Sequence, residues 1–204
     1  MEFLGLDLPS YSWQTVLGSA ISGVFLGSIY ALVALGLTLI YGVLHIINFA
    51  HGALLMLAMY AVFFLWKLLG LDPYLAMLIV VPGAYIFGYG LQRGVIGKAS
   101  HGRDEIILLV TLGVSIVIEN AALFFFSASE RSVLVPYDLD GIDLGVTYAV
   151  YPELIALGGS LLITFALWLF MSLTDTGKAI RAVAKERQGA RLVGINVDHI
   201  FAVT

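Results

Sequence analysis

The sequence predicts an all-α fold, a polytopic transmembrane helix bundle of five spans plus the start of a sixth. Three observations carry that expectation. Hydrophobic residues make up 60% of the chain and charged residues 12%, with a mean hydropathy of +0.99. A water-soluble domain carries about a quarter charged residues, so this composition belongs to a membrane protein. Residues 8–66 run for 59 positions without one Asp, Glu, Lys or Arg. One helix crosses a hydrocarbon core of about 30 Å with about 20 residues, so this run holds two spans rather than one. The later apolar runs are of span length and are separated by charged stretches. Lipid offers no partner to loose backbone groups, and the runs are too long for barrel strands, which leaves helices.

The first span is expected over residues 16–44 and the second over 53–69. Their join, His45-Ile46-Ile47-Asn48-Phe49-Ala50-His51-Gly52, is polar but uncharged. A short turn at 67–73 leads into a third span at 74–92, and a charged stretch at 93–105 precedes the fourth at 106–126. A polar loop at 127–151 leads to the fifth span at 152–173, followed by a loop at 174–198. Residues 199–204 read as the first turn of a sixth span, and that apolar ending predicts a longer parent chain. Met1 to Asp7 carries Glu2 and Asp7 but no Lys or Arg. A cleaved signal peptide begins with basic residues, so the first span is expected to be retained. The 204 residues form one transmembrane domain, with 174–198 as a loop within it.

Basic residues stay on the cytoplasmic side. Eight of ten lie in two loops: Arg93, Lys98 and Arg103, then Lys178, Arg181, Lys185, Arg187 and Arg191. The loop at 127–151 has Arg131 against Glu130, Asp138, Asp140 and Asp143. Two basic loops flanking an acidic one put the join at 45–52 on the cytoplasmic side and the N-terminus outside.

Thr15, Ser19, Gly23, Gly27 and Ala31 place a small residue at every fourth position of the first span. That stripe lets a neighbouring helix approach closely, and packing is favoured over a substrate groove. Asn48 and His51 share a face if their segment is helical. They either line a substrate pathway or gate, or satisfy backbone groups at the join; both readings stay open. Glu119 and Asn120 fall in the outer half of the fourth span, where a carboxylate is costly unless it faces a bundle interior or cavity. The readings there are a pathway contact or an interhelical bond.

The loop at 174–196 opens with capping residues, continues with Ala-rich helix formers and closes at Gly194. Two short amphipathic helices separated near Gly189 are expected, with Ile180, Val183 and Ala184 on one face and Leu192 and Val193 on another. They would offer an apolar face to a cytoplasmic partner, whereas a charge run alone is a solvated loop. The basic loops also attract anionic membrane lipid. Cysteine is absent, which excludes disulfides and thiolate metal sites. Gly97-Lys98 and Gly177-Lys178 lack the rest of a phosphate-binding loop, and no metalloprotease, nucleophile-elbow or zinc spacing occurs. Neither an enzyme, nor a metal site, nor a nucleic-acid partner is expected. If ATP drives the protein, another subunit binds it.

Residues 30–43, Tyr-Ala-Leu-Val-Ala-Leu-Gly-Leu-Thr-Leu-Ile-Tyr-Gly-Val, followed by Ile47-Asn48-Phe49-Ala50-His51-Gly52, resemble the N-terminal signature of bacterial branched-chain amino acid ABC importer permeases. Residues 111–116 with Glu119-Asn120 are similar to their middle span. Gly177-Lys178-Ala179-Ile180-Arg181-Ala182 with residues 190–196 resembles their cytoplasmic coupling loop. The resemblance covers nearly the whole chain. It implies an inner-membrane permease subunit with a homologous second permease, two cytoplasmic ATP-binding subunits and a periplasmic substrate-binding protein. No cofactor is then bound by this chain, ATP being used by the partner subunits. Asn48, His51, Glu119 and Asn120 would serve the pathway or gate, and Gly177, Arg181, Ala190 and Gly194 the ATPase coupling. The general ABC-permease loop motif, Glu-Ala-Ala and then Gly four residues on, is retained only at Ala190 and Gly194, with Gln188 and Gly189 in place of its first two residues. The expected activity is ATP-driven import of branched-chain or related small amino acids. The alternatives are a urea or short-amide permease of the same family, or a channel or secondary transporter without ATPase partners.

Overall fold

The computed structural model describes residues 12–100 and 104–204. The readings made on Met1 to Asp7 and on Arg103 lie outside those residues. Five helices are long and apolar enough to cross a membrane, in the order the hydropathy predicts. Only 6% to 22% of an 18-residue apolar stretch of each span is buried within the chain, so lipid or neighbouring chains must cover the rest.

Helix α1 covers Trp13–Leu44 and stops at His45, a non-glycine residue at φ 56° whose N–H donates to the Tyr41 carbonyl at 2.7 Å. Helix α2, His51–Leu69, ends on Gly70 at φ 65°, the left-handed turn that glycine makes without steric cost. Asp72 caps α3, Pro73–Leu91, by accepting from the Tyr74 N–H at 2.9 Å, with Pro73 at the first helical position.

The charged stretch at 93–105, read as a loop, departs from expectation. The α3 backbone continues through a π-helical segment, Gln92–Ile96, into helix α4, Gly97–Ser100. Packing keeps it helical: Ile96 is buried with Ile46 and Ile107, α4 lies against the next span, and Arg93 bonds and stacks on Tyr89 one turn back. Charged residues at a membrane surface do not require a loop when their stems can pack.

Helix α5 covers Asp104–Phe126. After it, Arg131 lies 5.4–6.0 Å over the rings of Phe63, Phe64 and Phe126 and donates to the Phe126 carbonyl. The polar loop at 127–151 holds the only strands among the described residues. Strands β1, Gly141–Asp143, and β2, Tyr148–Val150, pair antiparallel with Gly141 opposite Val150. A side chain on Gly141 would run into the Ala149 carbonyl, and Gly145 turns the hairpin at φ 79°. Helix α6 is Tyr151–Leu173, followed by α7, Asp175–Lys185, α8, Arg187–Leu192, and α9, Val197–Val203.

The chain divides into two compact units. One holds α1 up to Val33 together with Pro136–Phe165, and there the Gly18 backbone approaches Val146 so closely that a Cβ would lie 2.7 Å from its carbonyl oxygen. The other holds Ala34–Val135 and Ala166–Thr204, with two buried clusters. Val43, Ile180, Val183, Ala190, Val197 and Ile200 form the first; Ile46, Ile96 and Ile107 form the second.

Candidate functional site

The loop after α6 is a folded platform. Thr174 caps α7 by accepting from the Gly177 N–H at 3.0 Å, while its hydroxyl donates to the Phe170 carbonyl at 2.7 Å. Gly177, Ile180 and Val183 recur on one face of α7 and are buried, Ile180 and Val183 against Val43 at the end of α1. Two short amphipathic helices are present as predicted, but the break falls at Glu186 rather than Gly189. Glu186 is extended, at φ −157° and ψ 105°, and its carboxylate caps α8 by accepting from the Gln188 N–H at 3.2 Å. A carboxylate at a helix N-terminus favours starting a new helix, and Gly189 is carried inside α8.

Of the four residues assigned to coupling, Gly177 and Ala190 point inward and Arg181 and Gly194 are exposed. Gly194 takes φ 86°, with its N–H on the Arg191 carbonyl, while the Ile195 N–H reaches back to Ala190. This left-handed stop ends α8 and aims the chain into Asn196, whose side chain caps α9 through the His199 N–H at 3.0 Å. Leu192 and Val193 stand at the tip, 88% and 76% exposed.

At the join, Asn48 and His51 are not successive residues of one helix face. Asn48 precedes α2 and its side-chain oxygen accepts from the Ala50 N–H at 3.0 Å, a local turn that replaces a helix cap. His51 opens α2, with its Nε2 buried and without a hydrogen-bond partner, and its Cε1 lies 3.4 Å from where a Cβ on Gly36 would sit. Thr111, which opens the 111–116 motif but was given no role there, ties the join to α5. It is 1% exposed, accepts from the Phe49 N–H at 3.3 Å and donates to the Leu108 carbonyl at 3.0 Å.

Glu119 and Asn120 are exposed on the surface of α5. Glu119 accepts from the buried Ser115 hydroxyl at 2.7 Å, and Asn120 donates to the Ile116 carbonyl at 2.7 Å. Neither is brought near Asn48 or His51 by any hydrogen bond recorded among the described residues. The stripe of Ser19, Gly23, Gly27 and Ala31 is exposed, with nothing within 4 Å of a Cβ on Gly23 or Gly27.

A cavity of about 690 Å³ opens where the join, the extended end of α3 and the platform meet. His45, Arg93, Lys98, Lys185, Arg187 and Arg191 line it, with Glu186 and Asp198. A polar chain crosses nearby. Tyr89 Oη lies 3.1 Å from His199 Nδ1 and accepts from Arg93 at 3.1 Å, joining α3 to α9. Neither contact was read from the sequence: Arg93 was expected in a loop beyond the third span, and His199 lies 110 residues from Tyr89.

Residues 19–204 match the family model for the branched-chain amino acid transport system permease component. The chain is 32% identical over 196 residues to the high-affinity branched-chain amino acid transport system permease protein BraD of Pseudomonas aeruginosa, covering 90% of this chain and 64% of that protein. It is 30% identical over 201 residues to the corresponding permease LivH of Escherichia coli, covering 90% of this chain and 63% of LivH. A probable permease of the same name from Methanocaldococcus jannaschii is 26% identical over 185 residues. The chain thus spans 57% to 64% of the length of these relatives. No solved structure gives a significant match. With five apolar spans, a folded loop between the fifth span and α9, and a family match over residues 19–204, this chain belongs to the branched-chain amino acid transport system permease component family.

Proposed function

We propose that the chain is the membrane-spanning permease subunit of an ATP-driven importer for branched-chain or related small amino acids. In this reading it pairs with a homologous second permease and with two cytoplasmic ATP-binding subunits, and it receives substrate from a periplasmic binding protein. It binds no cofactor of its own, since ATP is used by its partners. It lies in a bacterial inner membrane with the N-terminus outside and the 174–196 platform in the cytoplasm.

The observation that carries the reading is the platform tip. Ile180, Val183, Ala190, Val197 and Ile200 are buried in the platform core, yet Leu192 and Val193 project from it almost bare. Large apolar side chains on a rigid loop outside the bilayer mark a surface that a protein partner covers. An ATP-binding subunit seated there would push through α7 on the end of α1 and through α9 on α3. Glu119 supports a second permease or a wet pathway beside α5. It sits seven residues, or about 10 Å, from the end of its helix, and an exposed carboxylate at that depth is costly against lipid.

The test is co-purification and transport with the full-length protein. Leu192→Asp with Val193→Asp should release the ATP-binding subunits and abolish uptake while membrane insertion persists. Retention of those subunits with normal substrate-stimulated ATP hydrolysis would defeat the assignment. Competition of uptake by leucine, urea and short amides, with the binding protein present, separates the amino-acid reading from the amide one. If Glu119→Gln leaves uptake and its pH dependence unchanged, that residue has a packing role.

A further inference from the structure

The cavity between the end of α3 and the platform has a charge pattern that importing an amino acid does not require. Five cations line it, Arg93, Lys98, Lys185, Arg187 and Arg191, against two carboxylates, Glu186 and Asp198. Two of the five are held in place by aromatic rings: Arg93 lies 5.7 Å over Tyr89 and Arg187 lies 5.2 Å over Phe201. Lys98, Lys185 and Arg191 make no ion pair among the described residues. Glu186 also lines the cavity, with one carboxylate oxygen engaged in capping α8. The cations come from two stretches of chain, Arg93 and Lys98 from the extension of α3 and the other three from α7 and α8, so self-repulsion across the cavity is relieved when an anion sits between them.

The volume, about 690 Å³, falls in the range that holds a small organic ligand. A phosphate accepts several charge-assisted hydrogen bonds at once, and guanidinium groups match its geometry. The cavity also lies at the ends of membrane spans, where basic pockets between helices hold anionic headgroups. We propose that it is a binding site for a phosphate-bearing anion, with the headgroup of an anionic membrane lipid as the ligand. A soluble phosphate ester shares that chemistry. The bound phosphate bridges the extended end of α3 to the platform and so stiffens the joint between them. Leu192 and Val193 do not line this cavity, although Arg191, beside them in α8, does.

The experiment uses the full-length chain in nanodiscs of phosphatidylcholine alone or with phosphatidylglycerol, read by thermal unfolding and by native mass spectrometry of retained lipid. In phosphatidylcholine, inorganic phosphate should raise the unfolding midpoint saturably, while chloride at equal ionic strength does not. Lys98→Gln with Lys185→Gln should weaken the apparent phosphate affinity at least about tenfold, as expected for losing one or more charge-assisted bonds. Lys98→Arg with Lys185→Arg should restore it, and Lys178→Gln, whose partner is Asp175 rather than the cavity, should leave it intact. With phosphatidylglycerol present, a raised midpoint to which phosphate adds nothing identifies the lipid as the ligand, and retained phosphatidylglycerol should fall in the double Gln variant. A full phosphate shift in phosphatidylglycerol discs identifies a soluble phosphate ester as the occupant. No response to either form, or an equal response in the double Gln variant, overturns the site. So does a double Gln variant that keeps its anion response and loses only the ATP-binding subunits, which would make the cavity a protein-docking surface.

Discussion

A Cβ on Gly177 would lie 2.6 Å from the Cα of Met171, so the start of α7 and the end of α6 meet backbone to backbone. The Phe170 carbonyl stands at 2.5 Å from the same point, and neither obstacle is a flexible side chain that can turn away. Gly177→Ala should therefore lift α7 off α6 and destabilise the platform by about 1–3 kcal/mol. Reduced coupling of ATP hydrolysis to uptake, with normal insertion, is the expected outcome; proteolysis of the 174–196 loop should be faster than in wild type. An alanine variant with unchanged coupling and protease resistance would show that the contact yields without consequence.

Gly194 differs from Gly177 because space around it is open and only its backbone is demanding, at φ 86°. Gly194→Ala should cost about 1 kcal/mol and Gly194→Val more, whereas Gly194→Asn, which tolerates left-handed backbone, should cost least. Thermal unfolding of the three variants in one detergent gives the ordering. Gly194→Glu adds a charge beside the tip and should abolish uptake and substrate-stimulated ATP hydrolysis while the protein still inserts.

Tyr89→Phe keeps the ring under Arg93 but removes the hydroxyl that meets both Arg93 and His199. The expected loss is about 1 kcal/mol of stability. A larger fractional loss in transport coupling than in stability is expected if the α3–α9 link transmits motion, and equal losses would reduce the pair to packing. Paired measurements on Tyr89→Phe, His199→Ala and the double variant give the coupling energy directly.

Thr111→Val is nearly isosteric and leaves the Phe49 N–H without its acceptor at the join. Because Thr111 is almost fully buried, the cost should be about 1–3 kcal/mol, with the effect centred on residues 45–52. Hydrogen exchange at the start of α2 should accelerate in this variant and stay unchanged at α9.

Asp175 is held below its ordinary pKa by its hydrogen bond to Lys178 at 2.9 Å and by that residue's charge. A depressed folded-state pKa supplies stability above the unfolded value, and that stability is lost as pH falls through the folded one. Asp175 is fully exposed and Lys178 more than half exposed, so the effect is small. The stability difference between wild type and Asp175→Asn should be present at neutral pH and vanish below the usual carboxylate range; a difference that grows on acidification would contradict the pairing.

Much of this protein was legible without coordinates. The uncharged run of residues 8–66 required two spans, and α1 and α2 are those spans. Thr174 and Gly194 bounded the platform as a cap and a left-handed stop are expected to. These signals are local, depending on the transfer of side chains into lipid and on the torsions of single residues. The break between α7 and α8 was misplaced at Gly189 because composition points to glycine as a breaker, while Glu186 could win only by capping the following helix. The stretch at 93–105 read as a loop from its charge, yet burial of Ile96 against Ile46 and Ile107 kept its first half helical.

The sequence by itself determined the helical class, the number and order of spans, the two-helix platform and the family, since each follows from hydropathy, capping chemistry or contiguous motif. The tertiary structure alone decided which polar residues meet. It gave Thr111 to the join, tied Tyr89 to His199 and gathered five cations from separate helical stretches around one cavity, while leaving Glu119 and the Ser19–Ala31 stripe on the surface. The physical reason is range. Burial in lipid and backbone torsion act on a residue and its near neighbours, whereas hydrogen bonds and cavities join positions dozens of residues apart, which only the packed chain brings within reach.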